Sequence, residues 1–381
     1  MKLDDVTGYS DVGRHRDHNE DAFLVMADIG LVAVADGMGG LEHGEVASST
    51  AIEVLKQAEK ALRGVIAAVD REPGRGARSQ LSHAMRWLTD LGSQTIMQIT
   101  RGSSSGTTLV VGCVAGGHLL IANTGDSRAY LFRQGKVRAL TDDHTVAAAH
   151  MRAGRITKEE HDASPYQHML YQALGTQSEL DPDIFDEPAA VGDVLLVCSD
   201  GLTGPVSEDN IARILTEHTN LDRAAAALIQ AANDNGGPDN ITVVLTRITS
   251  GGDPATLEEE RRLFLGCPLL STLSDTERRQ LRHYVDRESF EADAPFNNPE
   301  AFYLLLSGKA RRPDGREAGP GDVVGLRRFA GAEEAAVEVA TEPCVALRLS
   351  LGAYDTLERQ RPTIAARIMR QLLTLMARGV A

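Results

Sequence analysis

Five aspartates stand where apolar runs begin or end. LVAVA closes on Asp36, HLLIANTG on Asp126 and DVLLVCS on Asp200, while Asp21 opens AFLVM and Asp239 lies just ahead of ITVVL. One Asp beside a Gly is ordinary turn chemistry, because its short carboxylate satisfies nearby backbone. Five at the edges of such runs call for a common cause. In an antiparallel sheet the end of one strand lies beside the start of its neighbour, so three exits and two entries can share one edge. Carboxylates gathered there raise one another's pKa and cost stability until a cation compensates. Hard oxygen donors suit magnesium or manganese. Gly37 follows Asp36 and, having no Cβ, leaves its carbonyl open to such an ion. Arg16, five residues before Asp21, brings a guanidinium fork that matches phosphate oxygens, although Arg14 is equally available in sequence.

The elements that must position these groups are short. AFLVM, LVAVA, TTLVVGCV, HLLIA, AYLFR, DVLLVCS and ITVVLTRI are β-branched or Leu-rich runs bounded by Gly, Asp or Asn, which predicts strands. Residues 45–62 and 222–233 are rich in good helix formers. The stretch from His144 to Gly175 reads as short helices joined by loops on the surface. Strands following one another without intervening helices predict antiparallel sheets with helices packed outside them.

The chain has 381 residues, so two domains are expected. SGGDPATLEEE marks a break in composition, and it divides the sequence into a first domain over 1–249, a linker over 250–258 and a second domain over 259–381. In the second, Ser274 and Glu277 form the pattern of a capping box. The last helix repeats Ile364, Ile368, Leu372 and Leu375 at helical spacing, the stripe of a core face or of a dimer seam.

Composition excludes several function classes. Lys and Arg total 39 against 54 Asp and Glu, a net charge of −15 that repels a polyanion. Aromatics make up 4%, too few for base stacking; nucleic acid is not an expected partner. Cys113, Cys198, Cys267 and Cys344 are scattered without a paired motif, as reduced cytoplasmic thiols are. The polar N-terminus is no signal peptide, and no apolar stretch reaches membrane-spanning length. A soluble, cytoplasmic protein is expected.

Taken in order, RDHNEDAF, VADGMGGLEHGEVAS, SGTTLVV, ANTGDSRAY, LTDDHTV, LLVCSDGLTG and GGPDNITVVL resemble the motifs of metal-dependent Ser/Thr protein phosphatases of type 2C, the bacterial members especially. The resemblance spans about residues 8 to 248. It implies an α+β fold, an αββα sandwich of two antiparallel sheets flanked by helices, with two or three Mn2+ or Mg2+ ions in a central cleft. By that resemblance Asp21, Asp36, Asp200 and Asp239 ligate the central pair and Gly37 adds its carbonyl. Glu20 holds a metal-bound water, and Asp126 joins Asp200 at a third ion. Arg16 grips the substrate phosphate and Asn240 orients Asp239 or the waters around it. The implied reaction is direct hydrolysis of phosphoserine or phosphothreonine in a protein by a metal-bridging hydroxide. Two positions depart from the pattern. Met38 stands where animal members often carry a His, so it cannot donate a proton to the leaving group. Ser164-Pro165 replaces a common His-Pro in the flap, and nearby His168 reads as a structural histidine.

The remainder of the chain resembles a cyclic-nucleotide-binding domain in CPLLSTLSDTERRQL, FYLLLSGKA and GPGDVVGLRRFAG. The resemblance implies a small β-roll domain with flanking helices. Its ligand cassette is damaged. Leu326 follows Gly325 where a Glu is usual, and Glu334 stands at the Arg position that would hold the cyclic phosphate; an acid there repels the ligand, and only a remodelled loop would let Arg327 and Arg328 replace it. The expectation is therefore a regulatory module without a nucleotide, a homodimer contact or a protein partner site. The expected partners are phosphoproteins made by a Ser/Thr kinase. The alternatives are a non-enzymatic pseudophosphatase scaffold and a phosphatase gated by a cyclic nucleotide.

Overall fold

The computed structural model describes residues 3–39, 43–101, 105–329 and 336–377. The expectations on Glu334 and on the side chains of Arg327 and Arg328 lie outside the described residues. The chain forms two compact units, 1–254 and 255–381.

The first unit begins with β1 (Val6–Asp11), β2 (Asp21–Met26) and β3 (Leu31–Met38), followed by α1 (His43–Gln57), α2 (Glu59–Arg71) and α3 (Arg75–Ile99). Next come β4 (Gly106–Thr107), β5 (Leu109–Ala115), β6 (His118–Thr124), β7 (Arg128–Arg133) and β8 (Lys136–Ala139), then α4 (Val146–Arg152) and α5 (Lys158–Asp162). It closes with β9 (Asp183–Pro188), β10 (Val194–Cys198), α6 (Asp200–Thr203), α7 (Glu208–Glu217), α8 (Leu221–Asp234) and β11 (Ile241–Arg247). One sheet has the order β1-β11-β10-β7-β8; the other runs β2-β3-β5-β6-β9, with β4 beside β3. Neighbouring strands in both are antiparallel.

Strand alternation explains why the runs are apolar throughout. In β3, Leu31, Ala33 and Ala35 face the helices, packing with Leu55, Leu62, Leu81 and Met85, while Val32 and Val34 face the other sheet. In β10, Leu195 and Val197 meet them between the sheets; Val194, Leu196 and Cys198 pack against α7 and α8 through Ile211, Leu215 and Leu228. Strands covered on both faces cannot alternate with polar residues. Fully burying each of these Leu or Val side chains contributes about 1.5–3 kcal/mol.

Three elements escape the run-and-turn pattern. β1 is a partly exposed polar strand. β9 carries Asp186 and Glu187, buried because Arg78 (3.2 Å), His118 (2.7 Å) and Arg138 (2.9 Å) pair with them. α3 is a 25-residue helix whose buried face mixes Leu81, Met85, Leu88 and Ile96 with Ser82, Thr89 and Ser93. The helix expected over 45–62 is in fact two, broken at Ala58.

α9 (Pro254–Leu265) begins at the last residue of the first unit and leads into the second, which contains α10 (Asp275–Leu281), β12 (Asp286–Phe290), β13 (Ala301–Ser307), β14 (Ala310–Arg311), β15 (Glu317–Ala318) and β16 (Val323–Val324). After α11 (Leu326–Phe329) come β17 (Val339–Ala340), β18 (Cys344–Ser350), α12 (Leu351–Gln360) and α13 (Pro362–Ala377). A sheet of order β12-β18-β13-β16 and a smaller one, β15-β14-β17, share a core around Phe296, Tyr303, Leu305 and Ala346. The opposite face of the larger sheet packs on the helices. Ser274 and Glu277 form the capping box. Ile364, Ile368 and Leu372 of α13 are buried in this unit's own core, with Leu375 packed against it.

Candidate metal centre

The pairing of β2 with β3 sets the first two carboxylates opposite each other, since Asp21 and Asp36 are register partners. The residues around Asp36 hold it rigidly. Its carbonyl accepts from Thr107 Oγ1 and Thr108 N, both at 2.9 Å, and its N–H donates to Thr108 Oγ1 at 3.0 Å. Gly37 is required by packing: a Cβ there would lie 2.3 Å from the Gly44 carbonyl oxygen and 2.5 Å from that of Glu20. β3 can therefore press against the start of α1 and the end of the Glu20 loop only without a side chain.

β10 and β11 are also neighbours, and they bring Asp200 and Asp239 to the same edge. Gly201 allows the approach, because a Cβ on it would stand 1.9 Å from the Asn240 carbonyl oxygen. Asp126, in the turn between β6 and β7, is 8% exposed.

Electrostatics show that these groups converge. Burial first, then repulsion from Asp21, Asp200, Asp126 and Asp239, pushes the Asp36 carboxyl well above the usual carboxylate range. Burial also raises Asp21 to about 7, with hydrogen bonds to Thr242 and Ser199 pulling the other way. Asp126 is raised by burial and then by Asp200 and Asp143. Asp200 is raised by burial and by Asp239, against a hydrogen bond with Asp36 and the attraction of His168. Ser199 Oγ donates to Asp21 Oδ2 at 2.7 Å, while Asp21 Oδ1 is buried and has no hydrogen-bond partner. A buried oxygen without a donor costs about 1–3 kcal/mol, and a bound cation removes that cost. The donor set, buried carboxylate oxygens, fits a hard divalent ion such as Mg2+ or Mn2+.

The remaining expected site residues lie at the rim. Arg16, 49% exposed, donates from Nη2 to Asp239 Oδ2 at 2.7 Å. Burial raises the Glu20 carboxyl, against Arg16 and a hydrogen bond with the Gly44 backbone at the start of α1. Asn240 does more than its expected role beside Asp239. Its N–H donates to Asp239 Oδ1 at 2.8 Å, but its side chain accepts from Glu20 N at 2.8 Å and donates to the carbonyls of Val12 and His18, each at 2.9 Å. It thereby fastens the loop that carries both Arg16 and Glu20. His168 is not the structural histidine expected: it is 71% exposed, and its Nδ1 lies 3.8 Å from Asp200 Oδ2. Met38 is half-buried, with its backbone paired to Gly106.

Ser199, Thr107 and Thr108 are absent from the expected site. SGTTLVV and VCSDG contain them, but a hydroxyl's partner 72 or 178 positions away leaves no mark on local sequence. Among the described residues, no helix is long and apolar enough to cross a membrane.

The family model for protein phosphatase 2C matches residues 7–167. A serine/threonine phosphatase stp from Listeria welshimeri is 37% identical over 239 residues, covering 62% of this chain and 92% of the relative. The crystal structure of the Mycobacterium tuberculosis serine/threonine phosphatase PstP/Ppp is similar with a TM-score of 0.56 and 35% identity, over 64% of this chain and 98% of that one. The PstP catalytic domain in complex with two manganese ions gives a TM-score of 0.53 and 34% identity, covering 64% and 98%.

Proposed function

The chain belongs to the protein phosphatase 2C family, and from that membership we propose that its first unit hydrolyses phosphoserine and phosphothreonine in proteins with two or three Mn2+ or Mg2+ ions. It is a serine/threonine phosphatase that uses Mn2+ or Mg2+. The observation that carries the site assignment is the carboxylate basin itself, in which burial and then the charges of Asp21, Asp200, Asp126 and Asp239 push the Asp36 carboxyl well above its usual range. Asp21, Asp36, Asp200 and Asp239, with the Gly37 carbonyl, would hold the central ions, and Asp126 with Asp200 a further one. Bound there, divalent ions lower the pKa of water and offset the charge that builds on phosphoryl oxygens.

The chain's own groups supply binding and orientation. Arg16 stands on Asp239 at the rim, and its planar fork can give N–H groups to a phosphate while keeping that carboxylate. Asn240 fixes the distance between Arg16 and the basin by holding the intervening loop at Val12, His18 and Glu20. Glu20, steadied by Gly44, would hold a metal-bound water. Arg16 holding the phosphate and Glu20 holding that water would bring the two together, the positioning on which hydrolysis depends.

The second unit is proposed as a regulatory or interaction module of β-roll type, similar to a cyclic-nucleotide-binding domain without its ligand. Its two small sheets with flanking helices support that reading. The four buried, free cysteines support a reducing, cytoplasmic setting.

Turnover of a phosphothreonine peptide by the full chain, measured against manganese concentration, tests the proposal. Saturable, manganese-dependent release of phosphate is expected, with kcat reduced about a thousandfold in Asp36→Asn. No turnover at saturating manganese favours the scaffold and overturns the reading.

A further inference from the structure

Three potential ligand atoms meet at one side of the basin. One from each of Asp126, His168 and Asp200 lies within 4.8 Å of the others. An ion with bonds of about 2.1 Å holds its donors about 3 to 4.2 Å apart, and the His168–Asp200 separation of 3.8 Å falls inside that interval. It is also too long for a hydrogen bond. Asp126 is buried, and the hydrogen bond its carboxylate receives comes from its own backbone.

One segment, residues 144–146, holds both the turn ahead of Asp126 and the turn that carries His168, the latter also through Val146 N donating to the Met169 carbonyl at 2.8 Å. His144 is buried and joins both loops. Its N–H donates to the Gly125 carbonyl at 3.0 Å, and Gly125 N donates to His144 Nδ1 at 3.3 Å, which fixes the turn ahead of Asp126. Its carbonyl accepts from Tyr171 N at 2.9 Å, and neighbouring Thr145 forms a bridge with Leu170, which fixes the turn that carries His168. That turn is closed by Gln167 N on the Ser164 carbonyl and Met169 N on the Tyr166 carbonyl.

We propose that the His168 imidazole is a side-chain ligand, through Nδ1, to a divalent ion held by Asp126 and Asp200. The inference rests on the reading that ions occupy the basin. It adds a nitrogen donor to an otherwise oxygen-only centre. Imidazole is a donor for transition ions rather than for magnesium, although manganese also takes oxygen donors, so of the two ions this position favours Mn2+. It also ties the segment around residue 168 to the metal centre.

Pulsed electron paramagnetic resonance of the full chain loaded with Mn2+ reads directly whether an imidazole nitrogen is bound, and calorimetric titration counts the sites. The expected result is a nitrogen coupling that disappears in His168→Gln and in Asp126→Asn. One class of Mn2+ site should weaken about tenfold or more in His168→Gln, its Mg2+ affinity changing less. His168 is exposed, so a folded variant is expected, checked by circular dichroism. Manganese bound without nitrogen coupling, or coupling that survives in His168→Gln, overturns the ligand assignment and leaves the phosphatase reading standing. Failure to bind manganese at all overturns both.

Discussion

At the scale of residues, the basin stores a conflict that protons or metal ions resolve. Asp21 has a folded-state pKa of about 7 against an ordinary value of 3.8, chiefly because it is buried. The folded state therefore binds more protons than the unfolded state between about pH 4 and 7. This contribution is fully present below the unfolded value and is lost as pH rises through 7. Asp36, Asp126 and Asp200 are shifted the same way, so they add to it. Thermal melts of the protein in chelator should show the midpoint falling from pH 5 to pH 8. Saturating manganese should restore more stability at pH 8 than at pH 5, because the ion competes with protons for the same oxygens. A midpoint that rises with pH in chelator contradicts the assignment. The same scale explains why five aspartates were legible in the sequence while their supports were not. Each aspartate interrupts an apolar run, whereas Ser199, Thr107 and Thr108 look like any other hydroxyl until their partners are seen.

At the scale of elements, the site is a junction where β2, β3, β10 and β11 present their ends and the start of α1 closes one side. Gly37 is the point of closest approach. Gly37→Ala places a Cβ 2.3 Å from the Gly44 carbonyl oxygen, so β3 and α1 must separate by about an ångström. Displacements on this scale can cost about a hundredfold in rate. The expected outcome is a kcat reduced about a hundredfold with a far-ultraviolet circular dichroism spectrum like wild type. Unchanged kcat would show that the junction can move without consequence. Strands buried on both faces were readable as apolar runs. β1 and β9 were not, because one is polar and partly exposed and the other buries its acids through Arg78, His118 and Arg138. α3 was hidden by the small polar residues on its buried face, where Gly92 packs against Leu174.

At the scale of the whole molecule, the two units own separate cores. The clusters around Leu31, Val197 and Leu228 lie in residues 3–248, and those around Phe302 and Tyr303 lie in 264–372. Units with independent cores unfold independently unless a large interface couples them. Scanning calorimetry of the full chain should resolve two transitions, of which chelator lowers only the one also shown by residues 1–254 expressed alone. A single transition that moves as a whole with metal would show that the units unfold cooperatively.

The sequence by itself determined the chemistry on offer. It placed carboxylates at strand ends, an arginine ahead of them, glycine where backbones must touch, and a break in composition after residue 249. These are local properties, set by residue type and by neighbours a few positions away. The tertiary structure alone decided which groups meet. Asn240 holds a loop that lies 220 residues earlier in the chain, Ser199 supports Asp21, and His144 aligns the turns that bring His168 to Asp126 and Asp200. Such contacts depend on strand order and register, which are set by pairing between segments far apart in the sequence.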